Sequence, residues 1–80
     1  MPRFYFHLYD RSECRDDEGI ELRNASIALE RAAEAARTIG AKCIREGHWL
    51  LNHRIVVCDE KGHEVGRVNF SDVVRVTETA

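Results

Sequence analysis

Apolar and polar positions alternate from Arg3 to Tyr9, with Phe4, Phe6 and Leu8 on one side of an extended chain and Arg3, Tyr5, His7 and Tyr9 on the other. Successive side chains of a strand point to opposite faces, so this aromatic-rich run predicts a first strand with one apolar face. The stretch Asp10 to Gly19 is polar and mostly acidic and reads as a solvated connection. Gly19-Ile20-Glu21-Leu22 then predicts a short returning strand and a loose hairpin.

From Ala25 the period changes. Ala25, Leu29, Ala32, Ala33, Ala36, Ile39, Cys43 and Ile44 recur at three- and four-residue spacing, opposite Glu30, Arg31, Glu34, Thr38, Lys42 and Arg45, which predicts a helix over residues 25–46. Asn24 suits its N-cap and Gly47 its C-terminal stop. A stripe made largely of alanine, with Gly40 on it, predicts a helix lying close against a sheet. His53 to Asp59 is a β-branched run, Asp59-Glu60-Lys61-Gly62 a turn with glycine where positive φ is expected, and His63 to Phe70 the partner strand. Ser71-Asp72 caps a last helical turn through Val74, or the β-branched Val73, Val74 and Val76 extend the strand.

The order is ββαββ: one α+β two-layer domain over residues 1–80, with an antiparallel sheet of about four strands and one long helix packed on one face. Alternation assigns Phe4, Phe6, Leu8, Ile55, Val57, Val68 and Phe70 to the helix side. It leaves Arg3, Tyr5, His7, Tyr9, Arg54, Val56, Cys58, Val65, Arg67 and Asn69 on an open side, although Val56 and Cys58 fit either face.

Eighty residues, 44% hydrophobic and 32% charged with a single proline, describe one ordinary globular domain with little room for an elaborate active site. The core of so short a chain is small, which makes association with a second copy the natural extra source of stability. A net charge of −2 supplies no bulk basic field for a phosphate backbone. Any anion recognition must therefore be local, and the cations suit it: all but Lys42 and Lys61 are arginine, the side chain fitted to bidentate contacts. Tyrosine beside arginine and histidine on the open face combines stacking surface with fixed donors, so Arg3, Tyr5, His7, Arg54 and Arg67 are the candidate binding residues. Trp49, Leu50 and Leu51, just after the helix, are a candidate subunit contact.

Other chemistries lack their spacing. His7, His48, His53 and His63 with Cys14, Cys43 and Cys58 show no paired CxxC or HxxxH element, so no metal and no cofactor is expected. The acidic run lacks the Asx pattern and placed glycine of a calcium loop. Cys14 or Ser71 with a distant histidine comes without a GxSxG turn, a phosphate-cradling glycine loop or paired carboxylates, and the chain is expected not to be an enzyme. Three cysteines without a disulfide pattern, no signal-peptide pattern and no apolar run of the ~18–20 residues that a membrane span needs place the expected protein in the cytoplasm, away from membranes. The expected partner is a second copy or another protein, ahead of nucleic acid.

The opening Pro2-Arg3-Phe4-Tyr5-Phe6-His7, the Asp17-Glu18-Gly19-Ile20-Glu21-Leu22 segment, the Ala-rich helix and the Val57-Cys58-Asp59-Glu60-Lys61-Gly62 turn leading to Val68-Asn69-Phe70-Ser71-Asp72 resemble a family of short bacterial proteins of unknown function. Its members open Pro-Arg-Tyr/Phe-Phe/Tyr-Phe-His and carry an Asp-Glu-x-Gly stretch before the helix and an Asp-x-x-Gly turn after it. The resemblance covers nearly the whole chain and implies no activity. A weaker one, to HicB-type antitoxins, rests on a β-hairpin with an acidic turn running into an Ala/Glu-rich helix. It implies a nucleic-acid-binding regulator, although a second hairpin here takes the place of a DNA-binding tail.

Overall fold

A computed structural model of the chain describes residues 1–9, 13–47 and 53–73. Trp49, Leu50 and Leu51 lie outside the described residues. The elements run β1 (Arg3–Tyr9), β2 (Glu13–Cys14), β3 (Ile20–Glu21), α1 (Ala25–Arg45), β4 (Arg54–Cys58), β5 (Glu64–Asn69) and α2 (Phe70–Val73). All strand pairs are antiparallel, in the order β2-β1-β4-β5, with β3 also pairing β1. This is the α+β architecture the periodicity predicts.

Helix α1 starts where the sequence places it. Asn24 is extended at φ −161°, and its side-chain oxygen accepts from the Ile27 N–H at 2.9 Å, satisfying a donor that has no partner within the helix. At the other end the Gly47 N–H donates to the Ile44 carbonyl at 3.0 Å, and Lys42 and Arg45 occupy the last turn, where cations suit the helix dipole. The buried line is Ala28, Ala32, Ala36 and Gly40, a strict four-residue ladder of the smallest side chains. Leu29 and Ile39 flank it, half-buried. Ala28 is thus a core residue that the apolar stripe omitted, while Ile44, assigned to the stripe, is 43% exposed. A four-residue repeat drifts about 40° per step around a straight helix, and 21 residues reach roughly 31 Å against roughly 23 Å for seven-residue β1, so the position after Gly40 in the ladder, Ile44, swings clear of the sheet.

The core joins Phe4, Leu22, Ile55, Val57 and Phe70 to the alanine ladder, with Phe6, Leu8 and Val68 packed against it, which matches the helix-side assignment. Val65 is a correction. Alternation put it on the open side, but it packs on the core because the pairing of β4 with β5 slips between Val57 and Cys58, where Val57 faces Gly66 and Cys58 faces Glu64. One extra residue in the edge strand makes a bulge. The bulge also brings Glu64 and Arg67, three apart, onto one face, where two hydrogen bonds of 3.0 and 2.8 Å join them.

The first connection also departs from expectation. Rather than a purely solvated loop, it contributes β2, paired to Leu8 and Tyr9, and part of it is tied to the sheet by Asp16. After β5 the chain turns into α2 rather than extending the strand, and Phe70 seals the core at 1% exposure.

Candidate functional site

On the face turned away from α1 the registers set out three rows across β1, β4 and β5. They are Tyr9–Arg54–Asn69, His7–Val56–Arg67 and Tyr5–Cys58–Glu64. Tyr5, His7, Arg54 and Arg67 therefore share one surface. Arg3 stands at its β3 end, two residues before Tyr5 on the same strand.

Most of these side chains are held by the chain itself. One Nη of Arg3 donates to the Glu18 carbonyl at 2.7 Å and, more weakly, to that of Gly19 at 3.4 Å, while the other lies 3.6 Å from a Glu21 carboxylate oxygen. Arg67 is clamped by Glu64, whose hydrogen bond holds its proton more firmly than usual. His7 was expected on an open surface but is 7% exposed, and its Nδ1 accepts the Asp16 backbone N–H at 3.0 Å. The neutral ring therefore carries its proton on Nε2. The Tyr9 hydroxyl donates to Glu13 at 3.0 Å, and that bond to a carboxylate, which requires the phenol proton, raises its pKa. Arg54 differs. Its guanidinium lies over the Tyr9 ring, 4.8 Å from the centroid, and its Nε is buried without a hydrogen-bond partner.

Asp16 organises this arrangement, and the sequence reading did not single it out. The edge of β1 pairs with β3 at Arg3 and Phe4 and with β2 at Leu8 and Tyr9. Between those two pairings, the Phe6 N–H is met by the Asp16 Oδ2 at 3.1 Å. Oδ1 accepts the N–H groups of Glu18 and Gly19, both at 3.1 Å. Burial works against ionisation here, but the N–H donors of Gly19, Phe6 and Glu18 more than offset it and hold the carboxyl below its ordinary pKa. Asp59 repeats the device in the second hairpin, accepting the Lys61 and His63 N–H groups at 2.9 Å with Gly62 at φ +83°. The signal available in the sequence was the shared spacing, since Asp16 to Gly19 and Asp59 to Gly62 are both Asp-x-x-Gly.

Among the described residues no three His, Cys, Asp or Glu side chains converge as a metal site, and no helix is long and apolar enough to cross a membrane. Burial, with Glu64 next, pushes the Cys58 thiol up, away from the reactive thiolate. On the helix side, a trough of about 520 Å³ separates α1 from the β1/β3 edge. Phe6, Ile20, Ala35 and Ile39 line it, with Arg31 and Glu34 also at its walls.

No curated protein and no solved structure matches the chain. Residues 3–71, from the first residue of β1 into α2 and including both Asp-x-x-Gly units, match the family model of a domain of unknown function, DUF6894, and the chain belongs to that family.

Proposed function

We propose that this chain is a small, non-enzymatic interaction module of the cytoplasm that works as a homodimer. The observation that carries the reading is the trough beside α1. The helix lies over β4 and β5 and leaves Phe6 and Ile20 beside open space, with Ile20 47% exposed. Apolar surface at the rim of so small a core gains from cover by a second copy. Sedimentation velocity over a concentration series tests it: a dimer at tens of micromolar is expected, and Ile20→Glu should shift it to monomer while the dispersion of its NMR spectrum stays native. A wild-type monomer at every concentration, or a dimer indifferent to Ile20→Glu, overturns it.

The second reading, a nucleic-acid-binding regulator of HicB type, rests on Arg54. With Arg3 and Arg67 already facing Glu21 and Glu64, the described residues of this face offer few free cations to phosphates, and weak, salt-insensitive binding is the expected result. Titration with single-stranded RNA and duplex DNA decides between the two: affinity that falls steeply with salt and disappears in Arg54→Ala favours the regulator.

A further inference from the structure

Arginine carries five N–H donors and no acceptor and does not shed its proton, so a buried guanidinium N–H without a partner is a condition proteins normally avoid. Arg54 Nε is in that condition. The same side chain lies over an aromatic ring, its Cζ 4.8 Å from the Tyr9 centroid, with Tyr9 and Asn69 as its cross-strand neighbours. The two other arginines on this face have carboxylate partners, Arg3 with Glu21 and Arg67 with Glu64. Among the described residues no carboxylate is paired with Arg54. Among the described residues this charge is thus oriented without a carboxylate to meet it, and with Nε shut in, a ligand would meet the edge that carries the two Nη atoms. That edge is a fork of N–H groups spaced for two oxygens of one carboxylate or phosphate.

We propose that Arg54, seated over the Tyr9 ring, is an oxyanion-binding site that takes a single carboxylate or phosphate group at its Nη edge. The ring beneath contributes by favouring the guanidinium charge. The site goes beyond the homodimer reading, because it needs only groups of one chain.

The test follows the arginine Nε–H signals by NMR, with Arg54 assigned from its disappearance in Arg54→Lys. Acetate and inorganic phosphate are titrated at constant ionic strength against sodium chloride. The expected result is a saturable shift of the Arg54 signal with those of Arg3 and Arg67 nearly still. Saturation by acetate points to a carboxylate source, and saturation by phosphate to a phosphate source. Backbone amides around Arg54 should report binding about tenfold weaker in Arg54→Lys, which keeps the charge and loses the fork. Tyr9→Phe keeps the ring and should bind as wild type, whereas Tyr9→Leu should bind more weakly. If Tyr9→Leu does not fold, the Arg54→Lys and Tyr9→Phe pair decides. Linear shifts shared by all arginines or reproduced by chloride, no shift at all, or unchanged affinity in Arg54→Lys would overturn the proposal. Sedimentation of the same samples reads the oligomeric state separately, so loss of the dimer reading leaves this result standing.

Discussion

Gly19→Ala is expected to lower stability by roughly 2–4 kcal/mol, a large share of the ~4–12 kcal/mol that a domain of this size has. Two separate penalties meet at this residue. Its φ is +69°, where an L side chain is strained by about 1–2 kcal/mol. A Cβ added there would also lie 2.9 Å from the Phe4 carbonyl oxygen, the Arg3 Cγ and the Tyr5 ring. The two side chains have some freedom to give way, but the carbonyl belongs to the β1 backbone paired with β3. Gly62 is the control: its φ is +83°, yet nothing lies within 4 Å of an added Cβ, so Gly62→Ala should show only the backbone penalty, about 1–2 kcal/mol. At ~4–8 °C per kcal/mol, the remaining ~1–2 kcal/mol should separate the two variants by about 4–16 °C in thermal unfolding. Equal losses in both would refute the close approach of Gly19 to β1.

Features set by near neighbours in sequence were legible. The Asn24 cap, the Gly47 stop and the Asp59–Gly62 turn each depend on residues within four positions, and the structure has all three. Strand alternation likewise placed Phe4, Phe6, Leu8, Ile55 and Val57 correctly, because a period of two fixes faces without knowing the partner strand. What failed depends on distant pairing. The bulge that turns Val65 inward is a property of the β4–β5 register, and the role of Asp16 exists because the Phe6 N–H falls between two short pairings. Arg3, His7 and Arg67 read from sequence as open donors and acceptors, but carbonyls, an amide and a carboxylate of the same chain meet them, which no composition argument could reveal. Trp49, Leu50 and Leu51 lie outside the described residues and stay an expectation.

Removing the Asp16 carboxylate should destabilise the fold by about 2–3 kcal/mol, since Asp16→Ala leaves the N–H groups of Phe6, Glu18 and Gly19 without their acceptor. Asp16→Asn separates shape from charge: it keeps one carbonyl oxygen but turns an amide N–H toward donors that expect an acceptor. The pH dependence follows from the depressed pKa of the folded carboxyl. A group of this kind stabilises fully above its unfolded pKa, near 4, and that contribution is lost as pH falls through the lower folded value. Urea midpoints should therefore show a constant gap between wild type and Asp16→Asn from pH 5 to 7, narrowing below pH 4. A gap that persists at pH 3 would mean that the charge contributes nothing. His7 supplies the other half of the contact, because it accepts the Asp16 N–H while Asp16 accepts the N–H of the preceding residue, Phe6. In His7→Asn the side-chain oxygen stands near the place of Nδ1 and preserves that acceptor, so it should retain more stability than His7→Ala. If the two variants unfold at the same urea concentration, the hydrogen bond is not what holds this segment to β1.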